Sequence, residues 1–139
     1  MIKLFLDSSS LISAVISKQG GAREIIVRSI QGQYKLYLSA LVREETEHNI
    51  VDKSYKTAPY LKILFEAIPF IYVSPEKLLV AKVEKSIEWK DAPIIAAALT
   101  AEADYLITHD KLHLLNHKDL IYKKFKLKVV TPGEFLKQQ

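Results

Sequence analysis

KDAPIIAAALTAEADYLITHDK, residues 90–111, decides how this chain folds. Asp91 opens an alanine-rich apolar helix, the β-prone run Tyr105-Leu106-Ile107-Thr108 follows, and Asp110 closes that run. It reads as one helix–strand unit with an acid at each functional end. In an open α/β sheet, helix starts and the carboxyl ends of strands lie along the same edge. The spacing therefore predicts that Asp91 and Asp110 converge.

Working outward, the same pattern recurs. Residues 2–6 form a short apolar run suited to a central parallel strand, and Asp7 ends it. Ser8, Ser9 and Ser10 are acceptable caps for a short helix ending at Gly20-Gly21, and residues 22–31 give a second, with Ile25, Ile26 and Ile30 at core spacing. Residues 34–38 alternate as a strand does. Ser39 then caps a long helix bearing Glu44, Glu45 and Glu47. A helix over 58–67, a strand over 70–73 and a helix from Ser74-Pro75 to about Ile87 complete the first part. After residue 111, a strand is expected over 127–130, and Thr131 with Glu134 has the spacing of a capping box. Strands alternating with helices argue α/β with a mainly parallel sheet.

Residues 1–139 fit one globular domain. There is no cysteine, which excludes disulfides and thiolate metal sites and agrees with a cytoplasmic protein. The apolar N-terminus meets Asp7 too soon for a signal peptide or membrane span, so no membrane role is expected. A net charge of +4 favours an anionic partner. Lys118, Lys123, Lys124, Lys126 and Lys128, interleaved with Tyr122 and Phe125, read either as an RNA-binding edge or as a lysine-guarded edge strand.

Asp7, Asp91 and Asp110 fall at strand ends or helix starts, and the helix after Ser39 brings glutamates to the same edge. Carboxylates pressed together repel unless a cation sits among them. Hard oxygen donors select Mg²⁺ or Mn²⁺, and the matching chemistry is metal-assisted phosphodiester hydrolysis. Each acid also has a plainer reading: Asp91 as a helix cap, Asp7 and Asp110 as turn formers, the glutamates as a solvated face. His109, His113 and His117, four apart, compete as a zinc-binding face if they share one helix. Trp89 is expected to pack beside the site.

The chain resembles the PIN-domain nucleases, most of all the VapC-type toxins of toxin–antitoxin pairs. The resemblance lies in LFLDSSSLISA (4–14), LSALVREETEHNI (38–50), KDAPIIAAALTAEADYLITHDK (90–111) and VVTPGEFL (129–136). It implies a three-layer α/β/α domain with four or five strands, acting as a Mg²⁺- or Mn²⁺-dependent endoribonuclease. By position, the metal-binding and catalytic acids are Asp7, Glu45 or its neighbour Glu44, Asp91 and Asp110. Glu45, six residues after Ser39, is the favoured glutamate. Ser9 and Thr108 are expected to support the carboxylates, and Lys123, Lys124 and Lys126 to hold RNA. Ser9 stands where the family often has asparagine. Asp104 matches a recurrent position at the opposite end and reads as structural. An antitoxin partner and a homodimer are further implications. The alternatives are a catalytically silent RNA- or protein-binding module, or another Mg²⁺-dependent phosphotransfer protein.

Overall fold

The computed structural model describes residues 1–139. Strands β1 (Ile2–Leu6), β2 (Tyr34–Leu38), β3 (Ile71–Tyr72), β4 (Tyr105–Ile107) and β5 (Lys128–Val130) form one sheet in the order β3-β2-β1-β4-β5. All four pairings are parallel, with Leu4 opposite Leu36 on one side and opposite Tyr105 on the other. The intervening helices are α1 (Ser8–Ile16), α2 (Gly21–Ile30), α3 (Ala40–Ser54), α4 (Ala58–Ala67), α5 (Lys77–Glu84), α6 (Ala92–Thr100), α7 (Lys118–Phe125) and α8 (Pro132–Lys137).

From β1 the chain builds outward to β2 and β3, then returns to lay β4 on the free edge of β1 and β5 beyond it. Because parallel crossovers are right-handed, reversing direction puts the two sets of helices on opposite faces. Three layers result, as expected from the sequence. The order reverses between β1 and β4, and that reversal opens a crevice at the carboxyl ends of these two strands.

Central strands buried on both faces must be apolar throughout, and Leu4, Phe5, Leu36, Leu38, Leu106 and Ile107 are almost wholly excluded from water. Ala96, Ala97 and Ala98 are equally buried, and such small side chains permit close approach of α6 to its neighbours. On the other face, Phe135 of α8 meets the rings of Tyr34 and Tyr105 edge-on, with centroids 5.2 and 5.0 Å apart.

Two segments differ from the sequence reading. Ser74-Pro75 does not open a helix: Val73 still donates to the Leu38 carbonyl (2.8 Å), the Glu76 amide bonds Thr100 Oγ1 (3.1 Å), and α5 begins only at Lys77. Residues 118–125, which the sequence reading left without an element, form helix α7, while the lysine-guarded edge strand is β5, at the rim of the sheet with Lys128 exposed. Ile121 is buried and Phe125, one turn later, is half-buried, while Lys118, Lys123 and Lys124 stay in water. No helix is long and apolar enough to cross a membrane.

Candidate functional site

Asp7 follows β1 and is the N-cap of α1. Its Oδ1 accepts from Ser9 Oγ (2.7 Å) and the Ser10 amide (3.2 Å), and its Oδ2 accepts from Thr108 Oγ1 (2.5 Å). The cap is therefore Asp7 and not one of the serines the sequence offered, which lie within the first turn of α1, and capping engages only one of its carboxylate oxygens. Thr108 ties the site together, since the same Oγ1 accepts from the Asp110 amide (2.9 Å). Ser9 Oγ likewise accepts from the His109 amide (3.0 Å). Asp7 is only 3% exposed. Burial pushes its carboxyl above the usual carboxylate range against these three hydrogen bonds, and the charge of Asp110 adds to the rise.

Glu45 lies in the second turn of α3, whose start is fixed by Ser39 Oγ accepting from the Val42 amide (3.2 Å). It is half-buried. Burial raises its pKa first, the negative charges of Asp7 and Asp91 raise it further, and the Ser8 hydroxyl opposes them. Glu44 points into water, and Glu47 pairs with Arg43 at 2.8 Å. Helical rotation separates these three acids: a step of one residue turns the side chain by about 100°.

Asp91 precedes α6 with backbone angles of −95° and −18°, and its side chain makes no capping hydrogen bond. The plain reading of Asp91 as a cap therefore does not hold. Its carboxylate instead lies 3.3 Å (Oδ2) from His113 Nδ1. Burial raises the Asp91 pKa; His113 and Lys90 lower it, and Asp110 and Glu88 raise it. Asp110 accepts from the His113 amide through Oδ1 (3.0 Å), closing the turn after β4.

The fold thus gathers Asp7, Glu45, Asp91 and Asp110 at the crevice between β1 and β4, close enough that their charges act on one another. Other candidates lie elsewhere. Lys126 borders a cavity with Met1, Ala103, Asp104 and Lys128, at the amino ends of the strands, and Lys123 and Lys124 are exposed on the last turn of α7. The structure does not bring these lysines to the acids. Asp104 is structural, accepting from the Lys3 amide at 2.8 Å. Trp89 is 75% exposed and does not pack beside the site. The three histidines share no helix, because turns at 111–114 and a 3₁₀ turn at Leu115–His117 divide them.

Sequence reasoning missed the pairing of His113 with Asp91 and the nearness of Glu88. The available signal was local: Glu88 precedes Asp91 by three residues, and His113 follows Asp110 by three. Ser86, Glu88, Lys90, Asp91, His113 and His117 line a cleft of about 530 Å³.

An α/β domain with carboxylates collected at its switch point is what the fold and site define. More particularly, the chain belongs to the PIN-domain family, whose model matches residues 3–112. No curated protein matches it in sequence. Among solved structures, it is similar to VapBC2 from Rickettsia felis bound to a promoter DNA fragment (14% identity, 92% of this chain and 98% of that one, TM-score 0.63). VapBC-1 from nontypeable Haemophilus influenzae is also similar (17% identity, 95% and 99% covered, TM-score 0.61). So is Mycobacterium tuberculosis VapC20, a toxin that cleaves the sarcin–ricin loop (13% identity, 79% and 92% covered, TM-score 0.54). At these identities the likeness is one of fold.

Proposed function

We propose that this protein is a divalent-metal-dependent endoribonuclease and the toxin of a toxin–antitoxin pair. One observation carries the reading: four carboxylates from four separate segments meet at the switch point of the sheet, and three of them are pushed toward protonation there. No lysine or arginine is among the groups that shift Asp7 or Glu45. An all-oxygen donor set short of positive charge fits Mg²⁺ or Mn²⁺. Family membership and toxins among the fold neighbours support the same reading.

Asp7, Glu45, Asp91 and Asp110 would hold the metal, which when bound supplies positive charge to the phosphodiester and acidifies the attacking water. The chain's own residues do the rest. Ser9 and Thr108 fix the Asp7 carboxylate by a hydrogen bond to each oxygen, so its direction is set before substrate arrives. Thr108 also fixes the backbone that carries Asp110. Lys90, exposed on the cleft wall, is placed to draw a phosphate of the RNA backbone toward the acids, a role the sequence had suggested for the lysines around α7. Val51, Tyr55, Tyr60 and Ile63 are more than half exposed on and between α3 and α4, and offer apolar surface to an antitoxin or a second copy.

The test is cleavage of an end-labelled single-stranded RNA with Mn²⁺, with EDTA, and with Asp91→Asn protein from the same preparation. Metal-dependent cleavage that the variant lacks is expected. Equal cleavage by the variant would overturn the site. A wild-type protein that neither cleaves RNA nor binds Mn²⁺ calorimetrically would favour the silent binding module.

A further inference from the structure

Asp91 belongs to a second grouping besides the four acids. Glu88 sits one turn ahead of it in the approach to α6, and His113 reaches it from the turn after β4. The ligand atoms of Glu88, Asp91 and His113 all lie within 4.8 Å of one another, at the wall of the cleft. A tetrahedral ion with bonds of about 2.1 Å holds its ligands about 3.4 Å apart. Asp91 and His113 already stand at 3.3 Å, and Glu88 is an exposed side chain free to close the remaining gap by rotation.

The chemistry of this trio differs from that of the four acids. An imidazole nitrogen suits borderline ions such as Zn²⁺, whereas Mg²⁺ prefers oxygen alone. Two carboxylates and one imidazole leave a fourth position open toward the cleft, where water or a substrate oxygen fits. Asp91 is available as a ligand because its side chain makes no capping bond.

We infer that Glu88, Asp91 and His113 form a second divalent-cation site, which shares Asp91 with the four-acid group and selects Zn²⁺ through the His113 nitrogen. The inference rests on the nuclease reading only in that Asp91 is common to both. A cation here takes up one carboxylate of the four-acid group, so zinc occupancy and magnesium occupancy compete.

The test is to titrate metal-free protein with Zn²⁺ while following the imidazole nitrogen resonances of its four histidines. The His113 ring is expected to move with the first equivalent, while those of His48 and His109 stay in place. Glu88→Gln and His113→Ala should each weaken Zn²⁺ binding about tenfold or more. Asp7→Asn, which dismantles the four-acid group alone, should leave the His113 response intact. An unmoved His113 resonance in the wild-type protein, or unchanged Zn²⁺ affinity in both variants, would overturn the site. The two proposals fail separately: loss of the His113 response says nothing against Mn²⁺-dependent cleavage, and an inert nuclease leaves the zinc titration standing.

Discussion

Thr108 shows how little separates a support from a ligand at the scale of single residues. Its hydroxyl donates to Asp7 and accepts from the Asp110 amide while wholly buried. Thr108→Val keeps the shape and removes both bonds, leaving a buried carboxylate short of a donor. We expect a loss of about 1–3 kcal/mol in urea unfolding and a fall in cleavage. Asp91→Asn should behave in the opposite way. With no capping bond to lose, and with the lost His113 contact offset by removal of a charge that burial disfavours, it should not lower stability in urea unfolding at neutral pH. Its effect on cleavage should exceed the roughly 10–100-fold typical of residues that only support a metal ligand. The aspartates stood out in the sequence because Asp7 directly follows a strand, Asp91 directly precedes a helix, and Asp110 lies three residues past the end of a strand. The two adjacent glutamates were harder, since only the rotation of α3 shows that Glu45 turns inward and Glu44 outward. His113 was not legible as a partner of Asp91, because their contact depends on how the turn after β4 folds back.

At the scale of elements, boundaries set by strong punctuation were readable and those set by tertiary contacts were not. The capping box at Thr131 forms as its spacing requires: Thr131 Oγ1 accepts from the Glu134 amide (3.1 Å), and Glu134 Oε1 from the Thr131 amide (3.2 Å). Thr131→Ala should cost about 1 kcal/mol in urea unfolding. The start of α5 depends instead on Thr100 bonding the Glu76 amide, a contact between distant segments. Helix α7 was hidden because lysines mask its short apolar stripe. It ends at Lys126 in a left-handed conformation (φ 61°), which a side chain adopts at a cost. Lys126→Gly should therefore stabilise the protein by up to about 1 kcal/mol. It should leave RNA cleavage unchanged, because this residue stands at the amino ends of the strands. Reduced cleavage would instead restore the lysines to the RNA path.

Across the whole molecule, the gathered acids make stability depend on pH and on metal. Asp7, Glu45 and Asp91 bind their protons more tightly folded than unfolded, with burial the leading cause in each. Protonation therefore favours the fold. The stabilisation is full below the ordinary values of 3.8 for aspartate and 4.5 for glutamate, and is lost as pH rises through the raised ones. Glu134 has the opposite sign, because its lowered pKa withdraws stability only as pH falls below 4.5. Thermal melts in EDTA should show the midpoint declining as pH rises above the ordinary carboxylate values of 3.8 and 4.5. Mn²⁺ at a hundred times its Kd should restore about 2.7 kcal/mol at neutral pH. A midpoint indifferent to both would mean that the acids do not gather as described.

The placement of β4 between β1 and β5 governs when the four acids can meet. Leu4 pairs with Tyr105, and β1 must hold its edge open until the chain beyond residue 100 has been made. A ribosome building this protein therefore exposes Asp7 and Glu45 long before Asp91 and Asp110 exist to complete the group. The four-acid group is thus incomplete until residue 110 has been made. The group closes with the pairing of β1 and β4, which are far apart in sequence, the slowest kind of contact for a chain to close.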